Sequence, residues 1–164
     1  MKIRPSVLSD LPAIWEIYDN ARAYMRENGN PNQWINGYPQ PELIERDIRS
    51  GISYVCCQEE KVLAVFCFLP GPDPSYLEIS QGEWLDQEPY WVVHRIASGS
   101  HQKGVASFCI DWCFQQQPNI RIHTHRDNHV MQSFLKKKGF SYCGIIHLQE
   151  SGAERLAFQR HDPS

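Results

Sequence analysis

The segment between residues 90 and 113 combines a strand pattern, a short loop and an amphipathic helix pattern. Gly104 and Ala106 lie where the loop enters the helix, and small residues there allow a ligand to approach the backbone closely. The first turn of a helix leaves N–H groups unpaired and carries the positive end of the helix dipole. With Lys103 beside it, this turn favours binding of a diphosphate. A glycine that only shapes a strand-to-helix turn explains the same pattern.

The histidine and cysteine residues do not form a recognisable metal-binding motif. His123 and His125 are two residues apart on a predicted strand and therefore point to one face. A structural zinc site needs further ligands in a fixed geometry, and the sequence supplies neither a C-x-x-C pair nor an H-E-x-x-H helix. Cys109 and Cys113 fall on the apolar stripe of a predicted helix and are expected to be buried thiols. We therefore predict no metal.

Length and composition indicate one ordinary globular domain over residues 1–164. The formal net charge is −3, whereas nucleic-acid-binding domains usually carry a basic patch. The longest apolar run covers residues 62–69, while a membrane-spanning helix needs about 20 residues. The first residues lack the apolar stretch of a signal peptide. We expect a cytoplasmic protein without a nucleic-acid or membrane partner, and five Trp residues leave room for a homodimer.

Hydrophobic periodicity predicts a mixed α/β arrangement. Helices are expected after Asp10, which is a good N-cap residue, after Pro41, from Val105, and after Asp127 or Asn128. In the last of these helices, Val130, Met131, Phe134 and Leu135 are expected to face inward. Strands are expected over residues 2–4, 53–58, 62–69, 90–98, 120–124, 141–148 and 155–159. The helices of the second half each join two strands, which requires crossovers and a partly parallel sheet.

Two short motifs lie in the second half of the chain. The first, His101 to Ala106, matches Q/R-x-x-G-x-G/A at its Gly and Ala positions, with His101 in place of Gln or Arg. The second begins at Asn128 and reaches Gly139-Phe140 eleven residues later. In this order, the motifs and the elements around them resemble the GNAT superfamily of acetyl-CoA-dependent N-acetyltransferases. The resemblance covers about residues 1–160. It implies a single-domain mixed sheet with a splayed central pair of parallel strands flanked by helices.

The resemblance also implies that acetyl-CoA is the co-substrate and lies between two parallel strands, one ending at Ser98 and one covering residues 120–124. Backbone groups of the first strand would bond the pantetheine arm, and N–H groups of the following loop would hold the diphosphate. The residues implied in cofactor binding are Ile96, Ala97, Ser98, Gln102, Lys103, Gly104, Val105, Ala106 and Asn128.

The acid and the base of such a reaction are less clearly marked. Many members of the superfamily carry a Tyr seven residues after the Asn as general acid, but this chain has Leu135 there. The role would pass to water, to Tyr142 or to nothing. His94 is the candidate general base because it lies on the strand that should hold the thioester. A packed histidine bonded to the backbone is the alternative interpretation, and Glu78 and Glu83 are the carboxylate alternatives.

The loop between the first two predicted helices, residues 29–41, is rich in Gly, Pro and Asn but also carries aromatic side chains. In the superfamily this loop forms one wall of the acceptor pocket, so Gln33, Trp34 and Tyr38 are candidate substrate-binding residues. Trp84 would extend the aromatic wall, and Glu78 would attract a cationic amine. A loop held to the domain by Trp34 and Tyr38 as hydrophobic anchors is the structural alternative.

These observations favour an acyltransferase that transfers the acetyl group of acetyl-CoA to a primary amine of a small molecule or peptide by direct attack. Two other functions stay open. A CoA-binding regulatory module without turnover would explain Leu135 and His101. An unrelated small-ligand-binding domain would have a glycine loop with only a structural role. Fold alone does not choose among them.

Overall fold

The computed structural model describes residues 1–99 and 102–163, and its helices and strands follow the order expected from the sequence. Two short 3-10 turns, Leu8–Asp10 and Pro74–Tyr76, accompany them. The helices are α1 (Leu11–Glu27), α2 (Pro41–Arg49), α3 (Val105–Gln116) and α4 (His129–Lys137). The strands are β1 (Lys2–Pro5), β2 (Ser53–Gln58), β3 (Lys61–Pro70), β4 (Trp91–Ser98), β5 (Asn119–Thr124), β6 (Ser141–His147) and β7 (Glu154–His161).

The described strands form a seven-stranded mixed sheet in the order β1-β2-β3-β4-β5-β7-β6. Neighbouring strands are antiparallel except for β4 and β5, which are the parallel pair. This pair is joined at Trp91 and Ile120 and at Val92 and Arg121. Beyond these residues the two strands separate. The predicted mixed sheet with a splayed central parallel pair is therefore confirmed.

The sheet is covered by helices on both faces. Successive side chains along β3 point to opposite faces and therefore pack under different helices. Phe66 belongs to the core under α3 and α4, together with Cys109 and Leu135. Val65, its neighbour in the sequence, belongs to the core under α1 and α2. A smaller cluster around Tyr76 and Trp84 closes the end of the sheet near β6 and β7. Burial of these apolar surfaces is the main source of stability.

Two local expectations are corrected by the structure. Asp10 occupies the N-cap position of α1, but its side chain makes no capping bond to that helix. Asp10 also ends the 3-10 turn before α1, and its carboxylate points back across that turn. It accepts from the Val7 N–H at 2.8 Å and pairs with Arg4. Val130 is 54% exposed, because the inward stripe of α4 runs through Met131 and Leu135 instead.

The cysteine thiols are buried and unpaired, as expected for Cys109 and Cys113. In the described part of the chain, no cluster of three or more His, Cys, Asp or Glu side chains could hold a metal ion. No helix within residues 1–99 and 102–163 is long and apolar enough to cross a membrane.

Leu135 supports the fold rather than the chemistry, because its side chain is 0% exposed in the core between α4 and the sheet. We expect Leu135→Ala to lower the free energy of unfolding by about 2–5 kcal/mol, from lost burial and the cavity left behind. Val130→Ala, on the exposed face of the same helix, is the control and should change it by less than about 0.5 kcal/mol. Urea denaturation of both variants measures the difference, and equal effects would contradict the assignment of Leu135 to the core.

Candidate active site

A β-bulge in β4 lies at the centre of the candidate site. Val65 pairs with Ala97 and Cys67 pairs with His94, so Phe66 alone faces both Arg95 and Ile96. Arg95 has a φ of 52°, in the left-handed region that non-glycine residues seldom adopt. A bulge bends its strand and disrupts the ladder locally. The bulge lies a few residues beyond Val92, where β4 and β5 stop pairing, and the edge of β4 that faces β5 is open there.

Contacts from three surrounding segments hold the bulge. The hydroxyl of Tyr18 on α1 donates to the Arg95 carbonyl oxygen at 2.7 Å. The Arg95 guanidinium forms a double hydrogen bond with the Asp47 carboxylate on α2, at 3.0 and 2.9 Å. It also donates to the Tyr38 hydroxyl at 3.2 Å. Arg95 and Asp47 are both largely buried, with side chains 14% and 7% exposed. The unusual backbone at Arg95 is therefore fixed by partners that are far away in the sequence.

A groove of about 640 Å³ lies along the open edge of β4. Its walls come from α1, the end of β4, and the beginnings of α3 and α4. Five of the predicted cofactor-binding residues line it together: Ile96, Ala97, Ser98, Ala106 and Asn128. The structure thus brings the end of β4 and the two helix starts to one surface.

Gly104 stands at the N-cap of α3 with a φ of 84°. A Cβ atom built at this position would meet no described residue within 4 Å. Gln102 and Lys103 are exposed, whereas the Val105 side chain is buried and only its backbone can meet a ligand. His101 lies outside the described residues.

A second cavity, of about 450 Å³, adjoins the groove. Loop 29–41 supplies one wall with Gln33, Trp34 and Tyr38, and His94 lies on the strand side. The groove and the cavity share four lining residues: Met25, Ile96, Asn128 and Met131. A ligand lying along the open edge of β4 would therefore present its end to the second cavity.

His94 is paired with a carboxylate that sequence reasoning missed. Its Nε2 atom lies 2.8 Å from Oδ2 of Asp73, and both side chains are largely buried. Burial alone would raise the pKa of Asp73, but the hydrogen bond from His94 brings that pKa below its usual range. Within the described residues, Nδ1 of His94 has no hydrogen-bond partner, and His94 lines the second cavity. This geometry leaves one ring nitrogen free to exchange a proton with a bound molecule.

His123 faces His94 from β5, across the gap between the parallel strands. The two ring centroids are 5.5 Å apart, and Nδ1 of His123 lies 2.8 Å from the Tyr76 hydroxyl. Burial lowers the pKa of His123 to about 3, and the positive charge of Arg155 acts in the same direction. His123 is therefore neutral and serves as a polar wall of the cavity.

Solved structures of acetyltransferases share this architecture. A GNAT-family acetyltransferase from Streptococcus agalactiae superposes with a TM-score of 0.90 at 29% sequence identity, covering 99% of this chain and 96% of that one. The chain has the GNAT fold. A GNAT-family acetyltransferase from Listeria monocytogenes has a TM-score of 0.70 at 19% identity, covering 98% of this chain and 94% of that chain. The ribosomal-protein-alanine N-acetyltransferase from Brucella melitensis has a TM-score of 0.59 at 16% identity, covering 98% of this chain and 99% of that chain.

No protein-family model matches the sequence, and no curated protein matches it significantly. The likeness to the GNAT fold thus comes from three-dimensional structure. It confirms the resemblance seen in the sequence motifs, and the acetyltransferase neighbours support acetyl transfer as the general class of reaction.

Several predicted site residues lie away from both cavities. Tyr142 is 52% exposed on β6, where its ring packs against Phe158. Trp84 is buried outside the cavities. Its Nε1–H donates to the Tyr76 carbonyl oxygen at 2.9 Å, and the Arg121 guanidinium stacks on its ring. Glu78 and Glu83 are exposed on the segment before β4. These side chains do not join His94, because the segment that carries Glu78, Glu83 and Trp84 folds toward β6.

Asn128 has two contacts that tie loop 29–41 to the groove along β4. Its Oδ1 accepts from the Met131 N–H at 3.0 Å and caps α4. Its Nδ2 donates to Oε1 of Gln33 at 2.9 Å. The Gln33 backbone carbonyl in turn accepts from Arg155 at 2.9 Å, a residue with no motif around it in the sequence. Loop 29–41 is therefore held by polar contacts as well as by Trp34.

The pair of Asp47 and Arg95 can be tested by removing its anion. Asp47→Ala would leave the Arg95 charge buried without a carboxylate, and we expect it to cost about 3–5 kcal/mol of unfolding free energy. Glu45→Ala on the same helix removes the carboxylate of the exposed pair with Arg49 and should cost less than about 1 kcal/mol. Chemical denaturation compares the two variants. A similar small loss in both would show that the bulge does not depend on this pair.

Proposed function

We propose that this chain transfers the acetyl group of acetyl-CoA to a primary amine of a small molecule or peptide by direct attack. One observation carries the proposal: the open edge of β4 joins a groove at the starts of α3 and α4 to a cavity that holds the His94–Asp73 pair. The first part suits an extended anionic cofactor, and the second part suits proton transfer from an acceptor.

The residues around the groove fit acetyl-CoA. No described residue comes within 4 Å of a Cβ position at Gly104, which gives room for a diphosphate beside the first turn of α3, whose N–H groups have no partner within the helix. N–H groups from Gln102 to Ala106 would hold this diphosphate, with Lys103 adding positive charge. Along the open edge, backbone groups of residues 96–98 would bond the pantetheine arm as a short extra strand. When bound, acetyl-CoA supplies the acetyl group as a thioester.

His94 would act as the general base. A protonated amine cannot attack a thioester, so a side chain or a water molecule must take its proton. With Nε2–H donated to Asp73, the lone pair on Nδ1 of His94 is left to accept that proton. Asp73 fixes the ring orientation and stabilises the charge that forms on it, so it is a positioning residue. Leu135 is apolar and buried, and Tyr142 lies away from both cavities, so we assign protonation of the leaving thiolate to water.

Charge at position 104 should control acetyl-CoA binding. Gly104→Asp places a carboxylate in the space assigned to the diphosphate, and we expect it to weaken acetyl-CoA binding by at least about tenfold, or about 1.4 kcal/mol. Gly51→Asp is the matched control, because Gly51 also has a positive φ, 74°, and open space around its Cβ position. Isothermal titration calorimetry with acetyl-CoA measures both. Equal affinities in the wild type and in Gly104→Asp would remove the loop from cofactor binding.

Loss of the base should slow turnover without changing cofactor affinity. We expect His94→Ala to lower kcat by about 10²–10⁴-fold and to shift the pH profile of the rate. Asp73→Asn should produce a smaller loss, and His147→Ala, an exposed histidine at the end of β6, should leave kcat unchanged. Release of free thiol is measured with a panel of primary amines. An unchanged profile in His94→Ala would exclude it as the base. Tight acetyl-CoA binding with no thiol release for any amine would favour a regulatory module.

A further inference from the structure

Arg155 is a buried cation in the wall of the acceptor cavity. It lies near the start of β7, is 7% exposed, and lines the same cavity as His94 and Trp34. Its guanidinium donates to two backbone carbonyl oxygens, those of Glu154 and Gln33, each at 2.9 Å. These bonds use two of the five N–H donors of an arginine.

Arg155 forms no ion pair with any carboxylate in the described residues. The other buried arginine of this cavity, Arg95, is neutralised by Asp47. The carboxylate of Glu154 pairs instead with Arg126 on the surface. Burial lowers the pKa of Arg155, and among the described residues the Tyr38 hydroxyl opposes this effect. A buried charge without a counter-charge is rare in proteins because it is unfavourable.

The other charged groups of the cavity do not supply this counter-charge. Asp73 is engaged by His94, and Glu150 is exposed to solvent at the cavity. Arg155 also lowers the pKa of His123, so its positive charge acts across the interior of the cavity. The cavity therefore combines a proton acceptor at one position with an uncompensated positive charge at another.

We propose that Arg155 binds a carboxylate of the acceptor, so that the acceptor is a small amino acid-like molecule with both an amine and a carboxylate. The planar guanidinium matches a carboxylate with paired N–H donors. The amine would lie at His94, and the apolar part would pack between Trp34 and the Ile122 side of the cavity. This inference rests on the proposed function and deepens it. It favours free amino acids over peptide N-termini, whose α-carboxylate has become an amide.

Matched acceptors test this assignment directly. Glycine, β-alanine, 4-aminobutyrate and a set of L-amino acids are each compared with the corresponding carboxamide. For at least one pair, the wild type should show a kcat/KM about 10²-fold higher for the carboxylate. Carboxamides acetylated as well as their carboxylates, or better, would overturn the inference while leaving acetyl transfer intact.

Variants separate recognition from support of loop 29–41. Arg155→Met should bring the carboxylate-to-carboxamide ratio of kcat/KM close to one, whereas Arg155→Lys should retain part of the preference. Arg126→Met removes an exposed arginine beside the same strand and should leave the ratio unchanged. A purely structural role for Arg155 would lower both rates together and preserve the ratio. A preserved ratio in Arg155→Met would therefore overturn the inference.

A binding measurement keeps the outcome independent of turnover. Isothermal titration calorimetry measures how tightly the protein without acetyl-CoA binds the N-acetyl derivative of each amino acid. Each N-acetyl derivative is compared with the same N-acetyl compound in which the carboxylate is a carboxamide. We expect the wild type to bind at least one carboxylate about tenfold or more tightly than its carboxamide, and Arg155→Met to lose this difference. If no amine is acetylated, the proposed function fails, while the calorimetric difference still tests Arg155. No difference in either measurement would overturn the inference.

Discussion

The left-handed backbone of Arg95 is the constraint on which the site depends. Pairing between β4 and β5 ends at Val92, and the bulge at Arg95 then bends β4. A parallel pair that continued to bond would leave no edge for a ligand. A conformation of this kind persists only when its surroundings over-determine it. Here the Arg95 carbonyl oxygen accepts from Tyr18 on α1 and its guanidinium donates to Asp47 on α2, so both helices on this face of the sheet hold the bulge. Much of the helix packing on that face therefore serves the geometry of one strand.

The same contacts connect the bulge to loop 29–41, which forms one wall of the cavity that holds His94. Tyr38 accepts from Arg95, and Gln33 is bonded by Asn128 and Arg155. Because the capping residue of α4 is also a contact of the loop, the groove and the cavity share a set of polar bonds. His123 and Arg155 are both withdrawn from solvent in the wall of the cavity, which explains why His123 is held neutral and why the charge of Arg155 is costly to leave alone. Packing and chemistry are thus set by the same residues.

Much of the architecture could be predicted from the sequence because its signals are local. Hydrophobic periodicity gave the helices and strands, and Gly104 with Asn128 marked the starts of α3 and α4 through short-range capping and turn chemistry. The crossovers required a parallel pair, and motif spacing pointed to the GNAT superfamily. Val130 was misassigned because four neighbouring apolar residues span a wider arc than the buried stripe of a nine-residue helix.

Only the tertiary structure decided which polar groups meet. Asp73 and His94 are separated by 21 residues, Asp47 and Arg95 by 48, and Gln33 and Arg155 by 122, and no local rule links such positions. The sequence equally could not show that Trp84 and Tyr142 lie outside the cavities, because an aromatic residue serves a core and a pocket alike. By itself the sequence determined the order of elements and the glycine turn, since both follow from residues next to one another. Which charged side chains pair depends on how the strands and helices pack, because packing brings distant residues together only in the folded state.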